Sequence, residues 1–278
     1  MPVKIVTDST ADLPPQLVKE LGISVVPVYV RFGEEVYLDR VDMSEDEFYQ
    51  RLEKTTVHPS TVQPGPQDFL EVYRKLSKDA DSIVAIHISA KLSGTYNSAM
   101  MAKDMLDTKC PVAVVDSQTV TMGLGLLVIV AANMANAGES ADKIVKEVKK
   151  AIPKIHLVCL LDTLEYLQKG GRIGKAKALL GSILNVKPMI TIKDGEVVPA
   201  GQVRIRAKGI DKLFEFGQSA KKIQDLAVVH STTPDEAQSL AERLGSTFDR
   251  EKIKITRVGP ALGVHTGPGA LIVAVREG

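Results

Sequence analysis

Apolar runs and polar turns alternate along this chain in two rhythms. Val3 to Val6, Ser82-Ile83-Val84-Ala85-Ile86-His87-Ile88 and Val112-Ala113-Val114-Val115 are β-branched runs without alternation. Such runs read as strands buried on both faces. Helical signals separate them. Asp12 can cap a helix beginning near Pro14, Ser44 and Glu47 form a capping box for a helix through Lys54, and Pro66 starts the helix of Phe69, Leu70, Tyr73 and Leu76. Helices follow at Ala99 to Leu106, Met122 to Ala137 and Ala141 to Ala151, the last capped by Ser140. The segment Ile23 to Phe32 reads as a second strand, with Pro27 favouring an edge or bulge. His58 to Pro66 holds three prolines and a glycine and reads as a loop. Strands alternating with helices predict a parallel α/β layer with ligands at the carboxyl ends of its strands.

The style changes after Pro153. Leu157 to Leu161 is a strand, Thr163 caps a short helix ended by Gly170-Gly171, and Arg172 to Lys175 opens an apolar helix to Leu184. Met189 to Lys193 and Glu196 to Val198 flank Asp194-Gly195, a hairpin signal that introduces antiparallel pairing. A helix from Ala207 to Ser219 and a strand from Asp225 to His230 precede Thr233-Pro234-Asp235-Glu236, which reads as a capping box with a first-turn proline. Strands near Ile253 to Val258 and Leu271 to Arg276 are separated by a glycine-rich loop, Gly259 to Gly269. The expected architecture is an N-terminal parallel-sheet α/β domain, residues 1–155, followed by a C-terminal α+β domain, residues 156–278.

Composition narrows the function classes. Thirty-five Lys plus Arg against 34 Asp plus Glu leave a net charge of +1, which argues against a polyanion-binding surface. Aromatics are only 4%, with no Trp, so the stacking platforms favoured by single-stranded nucleic acid are missing. Aliphatic ligands remain open. Cys110 and Cys159 lie in or beside apolar runs without metal spacing and read as reduced core residues. The chain enters Val3-Lys4-Ile5-Val6 without a signal-peptide pattern, so a cytoplasmic location is the expectation. The Met122 to Ala137 segment is shorter than the roughly 20 residues needed to span a bilayer and reads as a buried helix.

Candidate chemistry centres on Leu92-Ser93-Gly94-Thr95-Tyr96-Asn97-Ser98-Ala99, where an apolar strand passes into a helix through hydroxyl-bearing residues. Backbone N–H groups collected at such a turn suit a carboxylate or another anion, although a helix cap explains the same residues. Nucleotide motifs fail. Gly123-Leu124-Gly125 has Val128 where the dinucleotide fingerprint needs glycine, and Gly171 to Lys175 has Lys169 and Ala176 at two required phosphate-loop positions. Ser93, His265 and either Asp8 or Asp116 supply a hydrolase triad by residue type, but Lys91 and Thr95 replace the glycines of a nucleophile elbow. No His, Cys, Asp or Glu cluster has metal-ligand spacing, and no cofactor is expected.

Several segments together resemble the DegV family of bacterial fatty-acid-binding proteins. They are Thr7-Asp8-Ser9-Thr10-Ala11-Asp12-Leu13-Pro14, Thr61-Val62-Gln63-Pro64, Lys91 to Ala99, Gly170-Gly171-Arg172, Lys187-Pro188 and His265-Thr266-Gly267-Pro268-Gly269. The pattern departs at Val62 and Gly65, where the resemblance leads one to expect serine. It implies a long-chain fatty acid between two domains, its carboxylate held at Thr61, Ser93, Gly94 and Thr95, with His265 nearby and Arg172 in the surrounding polar network. Arg204 takes the place of a further family arginine, with Arg206 close enough in register to compete for it. The Met122 to Ala137 helix and Leu179, Leu180, Ile183 and Leu184 are candidate tunnel walls, with ordinary core the favoured explanation of each, and Met100, Met101, Met105 and Met122 could adapt to chain shape but read mostly as gap-filling core. The resemblance further implies a non-catalytic carrier that presents the acid to a separate fatty acid kinase for acyl phosphate formation; a monomer is the default expectation with the oligomeric state open, and charge, aromatics and hydropathy predict no nucleic acid partner and no stable membrane insertion. A serine-dependent acyl hydrolase and a plain lipid sensor are the alternatives.

Overall fold

The computed structural model describes residues 2–180 and 186–278. Its first part runs β1 (Val3–Asp8), α1 (Pro15–Leu21), β2 (Ser24–Val26), β3 (Tyr29–Phe32), β4 (Glu35–Leu38), α2 (Glu45–Lys54), β5 (Ser60–Val62), α3 (Pro66–Leu76), β6 (Ser82–His87), α4 (Thr95–Met105), β7 (Val112–Asp116), α5 (Met122–Asn136) and α6 (Ala141–Ala151). The rest runs β8 (Ile155–Leu160), α7 (Glu165–Lys169), β9 (Lys187–Lys193), β10 (Glu196–Val203), α8 (Arg206–Ser219), β11 (Ile223–His230), α9 (Pro234–Leu244), β12 (Lys254–Arg257), α10 (Pro260–Thr266) and β13 (Leu271–Glu277).

The described residues form three sheets. A parallel sheet has the order β2-β1-β6-β7, a mixed sheet the order β10-β9-β8-β13-β11-β12, and a small antiparallel sheet the order β4-β3-β5. The β9–β10 hairpin closes at Asp194-Gly195, with Glu196 opposite Lys193, as the turn residues predict. Gly195 and Asp194 both have positive φ, which that tight turn requires.

Five local readings need correction. The expected strand Ile23 to Phe32 is two strands, because Pro27 has no N–H to donate to a ladder. β2 pairs with β1, and the chain then re-enters the small sheet as β3. The expected loop His58 to Pro66 holds β5, whose Thr61 pairs with Val30; Pro59 and Pro64 flank the strand without interrupting it. Between β12 and β13 the glycine-rich segment is helical, with Pro260 at a first-turn position and Gly267, at φ +69°, ending the helix. Pro234 opens α9 as expected, but the Thr233 side chain makes no capping hydrogen bond. The helix expected from Arg172 is a 3₁₀ turn, Gly174–Leu179, and its expected end at Leu184 lies outside the described residues.

Helix α5 lies between the two large sheets. From Met122 to Ala132 it is apolar all round, as an enclosed helix must be, and only its last turn, with Asn133 and Asn136, reaches solvent. Leu124, Leu126, Leu127 and Val128 are fully buried and share one core with Ile5 of β1, Val84 and Ile86 of β6, Cys159 of β8 and Ala274 of β13. Each such side chain contributes about 1.5–3 kcal/mol by leaving water. Gly125 is what lets the helix sit this close, since a Cβ there would meet the Ala11 carbonyl at 2.7 Å.

A buried carboxylate fastens the segments around α5. Asp12 was expected to cap α1, yet α1 has no side-chain cap. Instead Asp12 stands in the left-handed region at φ 50°, which carries its carboxylate inward. Asp12 Oδ1 accepts from the Gly259 N–H at 2.9 Å and from Arg40 at 3.1 Å, and Oδ2 accepts from the Thr121 hydroxyl at 2.7 Å. The Asp12 carbonyl accepts from Thr256 at 2.8 Å, and Arg40 donates to the Arg257 carbonyl at 2.7 Å. Burial pushes the Asp12 carboxyl upward, while Arg40, the Gly259 N–H and the Thr121 hydroxyl draw it back.

Removing Asp12 leaves Arg40 short of its buried partner. Asp12→Ala is expected to cost about 3–5 kcal/mol in urea unfolding, the range for breaking a buried pair. Asp12→Asn, which keeps one acceptor oxygen for the Gly259 N–H and tolerates positive φ, should cost distinctly less. Equal losses would show that the charge pair, and not the backbone tie, carries the stability.

Candidate functional site

A narrow cavity of about 840 Å³, its mouth included, lies among α5's neighbours, where the three sheets approach one another. Its wall is mostly aliphatic: Ile88 and Leu92 after β6, Leu157 of β8, Ile190 of β9, Val197 of β10 and Ile272 of β13 all face it. Thr61, Ser93, Arg172 and His265 line it too, so residues far apart in the chain meet at one void.

Ser93 is set by the turn between β6 and α4. The Ser93 N–H donates to the Ser89 carbonyl at 3.1 Å, and the Ser89 hydroxyl donates to the Gly195 carbonyl at the tip of the β9–β10 hairpin, at 2.8 Å. Ser93 Oγ lies 2.8 Å from Thr95 Oγ1 and also accepts from the Thr95 N–H at 3.3 Å. Thr95 is fully buried and positions Ser93 without itself lining the cavity. Gly94 acts by having no side chain, because a Cβ there would collide with the Gln63 amide. That clearance lets Gln63 donate to Ser98 of α4 at 3.1 Å and seats β5 against the helix.

Thr61 Oγ1 lies 3.1 Å from His265 Nε2. His265 sits in the last turn of α10, and its Nδ1 is buried without a hydrogen-bond partner among the described residues. An N–H at Nδ1 would be an orphaned donor, so we place the ring proton on Nε2, where it donates to Thr61. The Thr61 hydroxyl proton is then free for a ligand. Burial pushes the His265 pKa down to about 3, with the Arg172 guanidinium and His58 adding to the effect, and the ring is neutral at pH 7.

Charge enters from one side chain. Among the described residues lining the cavity, Arg172 alone carries a full charge; it is exposed and is anchored through Nη1 to the Gly170 carbonyl at 2.9 Å. Gly170 also makes room for His265, since a Cβ there would collide with Nδ1. Four other hydroxyls on the wall are already engaged: Thr10 with Asp8, Thr121 with Asp12, Thr191 with the Leu157 carbonyl and Thr266 with the Leu262 carbonyl. The polar end therefore comprises Ser93, Thr61 backed by His265, and Arg172. Such a set can hold a carboxylate in a largely aliphatic void.

The remaining candidates stand elsewhere. Arg204 is exposed in the turn after β10 and does not line the cavity. Arg206 is drawn away by bidentate pairing with Glu236 at 2.5 Å and by Asp162 at 3.1 Å. The triad residues also part company: Asp8 pairs with the buried His87 at 3.0 Å, Asp116 accepts from the N–H groups of Ala90 and Gln118, and Ser93 has Thr95 as its hydroxyl partner. Helix α5 and Leu179 stand behind the cavity wall instead of forming it, and Leu180 is exposed. Met101 and Met105 are exposed and Met122 is core. Ile183 and Leu184 lie outside the described residues. Sequence reading missed the wall residues of β8, β9, β10 and β13, whose apolar runs are indistinguishable from ordinary core.

Comparison with known proteins gives a consistent picture. The family model described as an uncharacterised protein, DegV family, matches residues 2–277. A DegV domain-containing protein of Caldanaerobacter subterraneus is 36% identical over 278 residues, 99% of each chain. A solved DegV family structure from Thermus thermophilus, described in terms of fatty acid binding, superposes with a TM-score of 0.92 at 34% identity, covering 100% of both chains. A stearic-acid-binding protein from Eubacterium ventriosum superposes with a TM-score of 0.89 at 27% identity, covering 99% of this chain and 98% of that one.

In the ligand-free protein, the His265 ring should remain neutral from pH 8 down to 5, because its pKa lies near 3. NMR of the histidine ring nitrogens would read this directly. A midpoint near the ordinary histidine value of about 6.5 would refute the buried, neutral assignment.

Proposed function

The chain belongs to the DegV family, and from this we propose that it binds a long-chain fatty acid, carboxylate at Ser93, Thr61 and Arg172, chain along the aliphatic wall. The observation that carries the reading is the make-up of one cavity: Ser93, Thr61 backed by His265 and the single cation Arg172 line it, its other threonine hydroxyls are spent on protein acceptors, and most of the remaining lining is aliphatic.

Magnitudes favour tail burial as the source of affinity. About fourteen methylenes at roughly 0.8 kcal/mol each supply on the order of 11 kcal/mol before the losses of association. The polar end fixes direction, since a carboxylate taken from water needs charge-assisted donors. His265, being neutral, serves by holding Thr61 and adds no positive charge. Residues 1–155 and 156–278 act in this reading as two domains closing on the chain.

We further propose that the protein is a non-catalytic cytoplasmic carrier whose partner is a fatty acid kinase. Exposure of Arg172 leaves the carboxylate end close to solvent, where a phosphoryl group can reach it. Among the described residues no helix is long and apolar enough to cross a membrane, and the carrier reading needs none.

Native mass spectrometry of protein incubated with stearic acid is expected to show a one-to-one complex. Failure of any long-chain acid to bind would overturn the reading. Ser93→Ala should weaken retention roughly 10- to 100-fold, the equivalent of one charge-assisted hydrogen bond. With a fatty acid kinase and ATP, hydroxylamine trapping should reveal acyl phosphate; a bound acid that the kinase never phosphorylates would remove the carrier role and leave binding intact.

A further inference from the structure

A second void abuts the first. It is a surface groove beside the carboxyl end of β7, lined by Asp116, Lys149, His156 and Lys193 among others, and it contains none of Thr61, Ser93, Arg172 or His265. Yet two side chains line both voids: Leu157 of β8 and Ile192 of β9. One layer of residues therefore separates the aliphatic cavity from the groove, and none of Thr61, Ser93, Arg172 or His265 belongs to it.

That layer is held in position by its neighbours. A Cβ on Gly123, in the first turn of α5, would lie 3.0 Å from Leu157 Cδ2, so the glycine marks how closely the helix backs this side chain. The Thr191 hydroxyl donates to the Leu157 carbonyl at 2.6 Å, tying β9 to β8 at the same level. Leu157 is only 4% exposed, and Ile192 is half-buried at the groove side of the core.

We propose that Leu157 and Ile192 form a septum that ends the acyl cavity and determines the longest chain the protein retains. The inference rests on the fatty-acid reading above. A chain whose carboxylate is fixed at Ser93 and Thr61 has its methyl end directed into the aliphatic lining, and the septum stops it short of the groove. Truncating either side chain joins the two voids and lets a longer chain run on toward the groove. Filling the septum shortens the accepted chain.

The test is competitive loading. Wild type, Leu157→Ala, Ile192→Ala and Ile192→Trp are each incubated with equimolar myristic, palmitic, stearic, arachidic and behenic acids, freed of unbound lipid, and the retained acids quantified by mass spectrometry. Each methylene newly accommodated against apolar wall favours binding roughly fourfold. If two of arachidic acid's four extra methylenes find apolar wall, the retained arachidic-to-palmitic ratio should rise roughly 16-fold in the alanine variants, and Ile192→Trp should shift retention toward myristic acid. Should Leu157→Ala fail to fold, Ile192→Ala at its half-buried position carries the same test. Alanine variants that load with the wild-type chain profile would overturn the septum and leave fatty-acid binding standing. A wild type that retains none of the acids would overturn the binding reading itself.

Discussion

One buried carboxylate holds the site's parts in register. Asp12 receives the Gly259 N–H just before α10, the Thr121 hydroxyl just before α5, and the Arg40 guanidinium. Gly259 leads into the helix that carries His265, and Thr121 stands on the cavity wall. Satisfying that carboxylate thus fixes the helix bearing His265 relative to the first strand of the parallel sheet. The left-handed backbone at Asp12 is the local strain that makes this possible. Hydrophobic burial around α5 supplies the bulk of the driving force, but it is non-directional and would tolerate small slips that the hydrogen bonds do not.

The cavity's chemistry follows from what is already spent. Hydroxyls are plentiful on its wall, yet Thr10, Thr121, Thr191 and Thr266 donate to protein acceptors. They face the void as small, satisfied groups. Ser93 and Thr61 are different, since their hydroxyls meet Thr95 and His265 and neither is committed to a carbonyl or carboxylate. His265 is neutral and Arg172 is exposed, so hydrogen bonding and charge reside on different side chains. Separating hydrogen bonding from charge suits a group that must be held and later released, because the single cation stays in contact with water and is partly screened.

Much of the fold was legible because periodicity encodes it. The uninterrupted apolar runs of β1, β6 and β7, the capping box at Ser44, and the Asp194-Gly195 hairpin all stand where the sequence places them. The fold as a whole agrees with that of the Thermus thermophilus relative at a TM-score of 0.92. Legibility failed where partners are distant in the chain. Asp12 reads as a helix cap because its true partners, Arg40, Thr121 and Gly259, share no local pattern with it. β5 hides among prolines because its pairing with β3 is a tertiary event. The cavity wall escaped for a related reason: Leu157 and Ile190 obey the same apolar rule whether they face a void or a neighbour. Ser93, Thr61, Arg172 and His265 were visible through segment resemblance, and the structure brings those four to one cavity while leaving Arg204 in solvent.

The most direct test of the account is a crystal structure of the protein with stearic acid. The account predicts the carboxylate within hydrogen-bond distance of the Ser93 and Thr61 hydroxyls, beside Arg172, with the methyl end against Leu157 and Ile192. A carboxylate at the Leu157–Ile192 end, or a chain bound outside this cavity, would contradict it.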